Sequence, residues 1–272
     1  MAAPSGDAYD PAMADGAAEV RIRGMHAAIE RDGEQDLVAV EEPLEIRVDG
    51  EPLAITMRTP GDDEHLAAGF LLGEGLIDRW PHVGPPRDLA ANTVDVRGPL
   101  LRDPGVRRFY TTSSCGVCGK GALEQVAVDA PPLALDPPDL IVSRALLAQL
   151  PDRLVQPEFQ RTGGLHATGL FDADGTLRCV REDVGRHNAM DKAIGWALEA
   201  GLVPLERALL CVSGRLSFEL VQKAVLARAP VLVGVGAPTS LAVELARDRG
   251  LTLCGFARRG RVNVYSGAAR VG

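Results

Sequence analysis

The sequence predicts an α/β protein, with a small N-terminal ββα roll ahead of a larger core of βαβ units on a parallel or mixed sheet. Two patterns carry this. Apolar alternation is interrupted by Asp49-Gly50 in the first hundred residues, and strand-like and helix-like segments succeed one another regularly from Ala208 onward. A third observation, Cys115 and Cys118 in a Gly-rich loop after a strand and before a helix, puts chemistry at an element boundary.

A chain of 272 residues, 46% of them hydrophobic, is long enough to bury one large core or two modest ones. Twenty-nine Lys and Arg against 37 Asp and Glu leave a net charge of −8, which argues against general nucleic-acid binding. No stretch approaches the roughly 20 apolar residues that span a bilayer, and the acidic, Ala-rich start lacks the basic and apolar regions of a signal peptide. The chain reads as cytoplasmic and not membrane-bound. Its five cysteines are too few and too unevenly spaced for a secreted disulfide framework, so reduced thiols are expected.

Residues 1–20 are acidic and without apolar periodicity, and read as a disordered tail. In the roll, assigned to residues 21–100, Leu44, Ile46 and Val48 alternate with charged residues, and Leu53, Ile55 and Met57 resume after Asp49-Gly50 as a hairpin. Leu66, Phe70, Gly73 and Ile77 then recur at helical spacing behind Asp62, Asp63 and Glu64, with Gly69 and Gly73 expected to let the helix approach the hairpin. A weak strand at Thr93–Val96 completes the roll, and a soft boundary falls in 98–105.

The core, residues 101–272, opens with a strand at Arg108–Thr112, the cysteine loop, and a helical reading from Gly121 towards Val128. Asp174-Gly175 marks a second hairpin between His166–Phe171 and Thr176–Val180. Residues 187–200 make an amphipathic helix ended by Gly201 as a left-handed cap. Leu209–Val212, 217–229, Val231–Val235, 240–249 and Leu251–Phe256 then alternate strand and helix, the pattern of a parallel sheet buried on both faces.

Thiols at the start of a helix meet the positive end of its dipole. Arg107, Arg108 and Lys120 add positive charge, which favours thiolates at Cys115 and Cys118. A C-x-x-C is also half of many zinc sites, but no second cysteine pair or close Cys/His pair is present, so no metal is expected. Dithiol–disulfide exchange is a further reading, although the chain does not open with a thioredoxin-type βαβ unit. Zinc deaminases place a P-C-x-x-C at a helix start, yet no His here has Glu two residues on, and Ser114 stands where the Pro would be.

Other candidates lie at strand ends. Ser213-Gly214-Arg215 and Gly234–Thr239 precede helices, where backbone N–H groups can face phosphate. The second only partly matches G-x-G-x-x-G, and a tight strand-to-helix connection explains it as well. Phe256, Ala257, Arg258, Arg259, Gly260 and Arg261 set three guanidiniums and an aromatic face between two strands, suited to a pyrophosphate or equally to a solvated basic hairpin. His166 follows Thr162-Gly163-Gly164, and His187 opens a helix with Asp191 one turn later as a residue able to orient it; capping or packing roles are open for both.

With these segments in place, the chain resembles the FdhD family of formate dehydrogenase accessory sulfurtransferases from about Glu41 to Ser266. The likeness is carried by EEPLEIRVDG, HLAAGFLLGEGLI, SSCGVCGK, RTGGLHATGLF, REDVGRHNAMDKAIG, SGRLSFELVQKA, APTSLAVELA and GFARRGRVNVYSG. The resemblance implies a cytidine-deaminase-like α/β core and a homodimer. It also implies a sulfurtransferase that takes persulfide sulfur from a cysteine desulfurase and passes it to the molybdenum cofactor, a bis(molybdopterin guanine dinucleotide), for formate dehydrogenase as client. By motif, Cys115 is the persulfide carrier, Cys118 its assistant, and residues 256–261 the cofactor-binding segment, for which GDP is an analogue. The alternatives from other classes are a non-enzymatic cofactor-binding chaperone and a dithiol oxidoreductase.

Overall fold

The structure, a computed structural model, describes residues 21–104, 109–111, 132–133 and 140–272. Three short strands, β1 (Arg21–Arg23), β2 (His26–Arg31) and β3 (Glu34–Ala39), form an antiparallel sheet absent from the sequence reading. Its β2–β3 turn is Asp32-Gly33, with φ of 54° and 83°, the same left-handed pair that joins the next hairpin at Asp49 (49°) and Gly50 (87°).

That next hairpin is β4 (Glu42–Val48) and β5 (Glu51–Arg58), the expected one. It is the middle of a five-stranded sheet in the order β6-β7-β4-β5-β8, with β6 at His82–Gly84, β7 at Thr93–Arg97 and β8 at Phe109–Thr111. Strand β8, expected to open the core, instead pairs in parallel with β5, Thr111 opposite Thr56. The sheet of the 21–100 roll thus includes a strand from beyond residue 100.

The larger sheet is mixed, in the order β10-β9-β11-β12-β13-β14. Its strands are β9 (His166–Asp172), β10 (Leu177–Asp183), β11 (Ala208–Val212), β12 (Val231–Gly234), β13 (Thr252–Arg258) and β14 (Arg261–Ser266). Strands β11, β12 and β13 are parallel, as the strand–helix alternation predicts, and the flanking pairs are antiparallel.

Numbered in chain order, the helices are α1 (Asp63–Gly73), α2 (Arg144–Gln149), α3 (Pro157–Thr162), α4 (Arg186–Glu199), α5 (Phe218–Leu226) and α6 (Ser240–Asp248). The period-2 pattern of the parallel strands sorts their side chains onto two faces. Leu210, Val212, Leu232 and Leu253 pack with α4, α5 and α6, whereas Leu209, Cys211, Val231, Val233 and Cys254 pack with Leu147, Leu150 and Leu154 beneath. Each fully buried leucine contributes about 1.5–3 kcal/mol through burial.

Helix α1 ties the two larger sheets together, but not through the contact expected of its glycines. A Cβ on Gly69 would overlap the Asp191 carbonyl of α4, and one on Gly195 of α4 would overlap the His65 carbonyl of α1. The bare positions therefore let two helix backbones touch, and Gly73 faces the Lys223 side chain rather than the hairpin. At the C-terminal end of α4, Gly201 takes φ 67°, the expected left-handed cap.

Candidate functional site: a basic rim and a charged cleft

The C-terminal ends of β11, β12 and β13 lie side by side, and the turns that follow them form one rim. Open sheets bind ligands outside the carboxyl ends of their parallel strands. The turns are laced by backbone bonds. Val235 N–H donates to Val212 O at 3.1 Å, Gly236 N–H to Gly214 O at 3.0 Å, Thr239 N–H to Leu216 O at 3.0 Å, and Phe256 N–H to Gly236 O at 3.0 Å. A Cβ on Gly236 would meet the Arg215 backbone at 2.9 Å. The glycine there serves a tight strand-to-helix connection, and its N–H is already used; this is the packing reading of Gly234–Thr239. Thr239 itself caps α6, its side chain accepting from Ala242 N–H.

Residues 256–261 stand at the far end of this rim. Phe256 holds a left-handed φ of 53°, rare for an aromatic residue, beside a register shift between Gly255 and Arg258. Ala257 is buried, and Arg259-Gly260, at φ 51° and 71°, makes the turn into β14. Arg258, Arg259 and Arg261 are exposed, and none has an ion-pair partner among the described residues. The Arg258 guanidinium lies 5.9 Å from the centre of the Phe256 ring, over the face expected to stack on a ligand.

At the near end, Ser213 binds the start of β9 twice. Its Oγ accepts from Ala167 N–H at 2.9 Å, and its N–H donates to Ala167 O at 2.9 Å. His166 sits next to it; burial, then the charges of Arg186, His187 and Arg215, push its imidazole below the ordinary value. His187 Nε2 lies 2.8 Å from Glu219 Oε2 and 3.0 Å from Ser217 Oγ, and this bond to His187 holds the Glu219 carboxyl down. Asp191, expected to orient His187, pairs instead with Lys223 Nζ at 2.6 Å.

That pair lies in a cleft of about 170 Å³ between the β4–β5 hairpin, α1 and the first turns of α4 and α5, bordered by Thr56, Glu74, Arg186, His187, Glu219 and Lys223. Burial pushes the carboxyls of Asp191 and Glu74 up. It pulls the Lys223 ammonium down, but the two carboxylates outweigh that and leave it raised. Sequence reasoning missed this cleft. Glu219 and Lys223 are spaced as an ordinary solvated helix pair, and while Glu219 stays exposed, only the packing of α1 and α4 against α5 buries Lys223. Strand β8, which leads in sequence towards the cysteine loop, ends beside Thr56 on the cleft border.

Cys115 and Cys118, and the helical reading from Gly121 towards Val128, lie outside the described residues. The other three of the five cysteines do not suit thiolate chemistry. Burial pushes the thiol of Cys179 up to about 11 and that of Cys254 up to about 12, and raises that of Cys211 as well. Among the described residues no cluster of three or more His, Cys, Asp and Glu is placed to hold a metal ion, and no helix is long and apolar enough to cross a membrane.

The fold and rim define a mixed α/β protein whose basic strand ends adjoin a charged cleft. The chain belongs to the FdhD/NarQ family, whose model matches residues 39–272. It is 53% identical over 257 residues to sulfur carrier protein FdhD of Streptomyces coelicolor, covering 87% of this chain and 89% of the relative. The protein of that name from Mycobacterium tuberculosis is 49% identical over 257 residues, covering 87% of this chain and 92% of the relative. A crystal structure from Desulfotalea psychrophila, described as a formate dehydrogenase accessory protein, superposes with a TM-score of 0.71 at 25% identity, covering 94% of this chain and 99% of that one.

Proposed function

We propose that this protein is a sulfurtransferase that accepts sulfur from a cysteine desulfurase as a persulfide on Cys115 and delivers it to the molybdenum cofactor destined for formate dehydrogenase. The observation that carries the reading is the distribution of thiols. Three of five cysteines are buried with raised pKa values, so thiolate chemistry falls to Cys115 and Cys118, in a chain about half identical to relatives named sulfur carriers.

The Cys115 thiolate attacks the outer sulfur of the donor persulfide. A new S–S bond forms, the donor's S–S bond breaks, and the donor cysteine leaves as thiolate with the electron pair. Cys118 then attacks the Cys115 sulfur, and the outer sulfur departs as hydrosulfide while a Cys115–Cys118 disulfide forms. That disulfide accounts for the two electrons and must be reduced by two thiol equivalents, which leave as their own disulfide, before the next turnover. The cofactor, as substrate, is held on the rim through residues 256–261, with GDP as its analogue. The setting is a cytoplasmic homodimer with a deaminase-like core.

The test is tryptic mass spectrometry after incubation with a desulfurase and cysteine, using an alkylating reagent that preserves persulfides. An added sulfur on the Cys115 peptide, lost in Cys115→Ala, is expected. Cys118→Ala should retain the persulfide but deliver sulfur more slowly. Persulfide confined to Cys179, Cys211 or Cys254 would overturn the assignment.

A further inference from the structure

The charged cleft has a size and a charge pattern that the sulfur chemistry proposed above leaves unused. Its back wall is apolar, from Ile46, Leu66 and Phe70. Its charged groups come from three places: Glu74 just past α1, Arg186 and Asp191 of α4, and Glu219 and Lys223 of α5. At about 170 Å³ it is smaller than the roughly 300–1,000 Å³ of pockets that take cofactor-sized ligands, and it holds the volume of roughly six water molecules. That suits a ligand of a few non-hydrogen atoms and not a nucleotide.

Most of these charges are matched within the cleft. Asp191 pairs with Lys223 at 2.6 Å, and Glu219 with His187 at 2.8 Å. Glu74 and Arg186 remain. The half-buried Glu74 carboxyl feels the charges of Lys223, Asp191, Arg102 and Glu219 but hydrogen-bonds to none of them among the described residues. A Cβ on Gly73 would come 2.9 Å from Lys223 Nζ, so the bare residue before Glu74 lets this stretch of chain pass close to the ammonium. At the other end the Arg186 Nε atom is buried without a hydrogen-bond partner. Polar groups left unpaired in this way are costly unless a ligand completes them. Arg186 and Asp191 are five residues apart on α4, about 7.5 Å along its axis. Two charge-assisted contacts of about 2.8 Å each, with an α-ammonium and its neighbouring carboxylate between them, cover a length of that order.

We infer that the cleft binds a small amino-acid zwitterion, its ammonium on Glu74 and its carboxylate on Arg186, and that the amino acid it serves carries a thiol, as cysteine does. The zwitterion site rests on the cleft alone. The choice of a thiol rests on the function proposed above, in which a Cys115–Cys118 disulfide must be reduced in every turnover. Strand β8 ends beside Thr56 on the cleft border, four residues before Cys115 in sequence. The thiolate of one ligand molecule attacks a sulfur of the disulfide and forms a mixed disulfide, while the other protein sulfur leaves with the electron pair and takes a proton. The thiolate of a second molecule attacks the ligand sulfur of that mixed disulfide. The remaining protein thiol is released, and the two ligand molecules leave joined as their own disulfide, having supplied the two electrons.

Calorimetry on the full chain with L-serine, which has the zwitterion but no thiol, tests the site. Ethanolamine lacks the carboxylate, and 3-hydroxypropionate lacks the ammonium. Glu74→Gln and Arg186→Gln should each weaken serine about tenfold, the worth of one charge-assisted contact. Ethanolamine should respond only to Glu74→Gln, and 3-hydroxypropionate only to Arg186→Gln. Glu74→Gln removes a charge that burial already disfavours, so it should fold and carries the test if Arg186→Gln does not. In the oxidised protein, L-cysteine should restore thiols open to alkylation several-fold more slowly in Glu74→Gln than in wild type. If serine shows the expected losses but cysteine reduces both proteins at one rate, the zwitterion site stands and its thiol role falls. Serine affinity unchanged in Glu74→Gln, or no serine binding by the wild type, overturns the site. Serine binding as expected with no persulfide on Cys115 after desulfurase treatment overturns the sulfurtransferase reading and leaves the site in place.

Discussion

Asp183 and Lys192 are both fully buried and 2.7 Å apart, Asp183 standing opposite His166 at the end of β10. The carboxylate also accepts from Thr59 N–H at 3.1 Å, Gly185 N–H at 2.8 Å and Asn188 Nδ2 at 3.0 Å, while Lys192 Nζ donates to Thr59 O at 2.8 Å. The pair thus clips the end of the β4–β5 hairpin to the start of α4, which holds Arg186 and His187 in place. Burying two charges is expensive even when they attract, so the pair adds little net stability over an apolar isostere. Breaking it is different, because the surviving charge is left without compensation. Lys192→Met should cost about 3–5 kcal/mol in urea unfolding, and Asp183→Asn added to it should recover part of the loss. A Lys192→Met variant as stable as wild type would show that the clip does not bear on the fold.

Between elements, the α1–α4 crossing is fixed by Gly69 and Gly195 and flanked by a polar contact that titrates. His65 Nε2 lies 2.7 Å from Glu199 of α4, and Nδ1 lies 3.4 Å from Asp62. The neighbouring Asp62 carboxylate, against the opposing effect of burial and with help from Glu199, raises the imidazole above its ordinary value of 6.5. A raised histidine stabilises the fold while it is charged. Its contribution is complete below the unfolded value and is lost as pH rises through the folded one. With Glu199 open to solvent the contribution is that of a screened pair, so His65→Gln should lower Tm by about 1–3 °C near pH 6 and by almost nothing near pH 9. A gap that widened with pH would refute it.

This crossing also shows where the sequence stopped being legible. The hairpins at Asp49-Gly50 and Asp174-Gly175 and the βαβ succession from Ala208 were readable because their signals are local. The partner of Gly69 was not, because it lies more than a hundred residues away. Asp32-Gly33 carries a local signal of the same kind. At the site, the arginines of 258–261 are legible as a run, whereas the buried Asp191–Lys223 pair is not, because it joins α4 to α5 across the fold.

At the scale of the whole molecule, the five-stranded sheet and the larger mixed sheet could be separable units. Packing says that they are not. One continuous apolar cluster runs from Leu44, Ile46 and Val94 of the five-stranded sheet through Leu66 and Leu71 of α1 to Met190 and Ile194 of α4, Leu220 of α5 and Leu210 of β11. A soft boundary in 98–105 marks a change of sequence pattern but not an end of this core, since β8, beyond it, returns to pair with β5. Units that share a core lose its burial together, so neither can melt while the other stays intact. Differential scanning calorimetry should therefore show one transition with equal calorimetric and van't Hoff enthalpies. A fragment ending at residue 104 should fail to fold, because Leu66, Leu71 and the bare face of α1 would lose α4 as their partner. Two resolved transitions, or a folded fragment with a cooperative melt of its own, would show that the cleft and rim sit on independently stable halves.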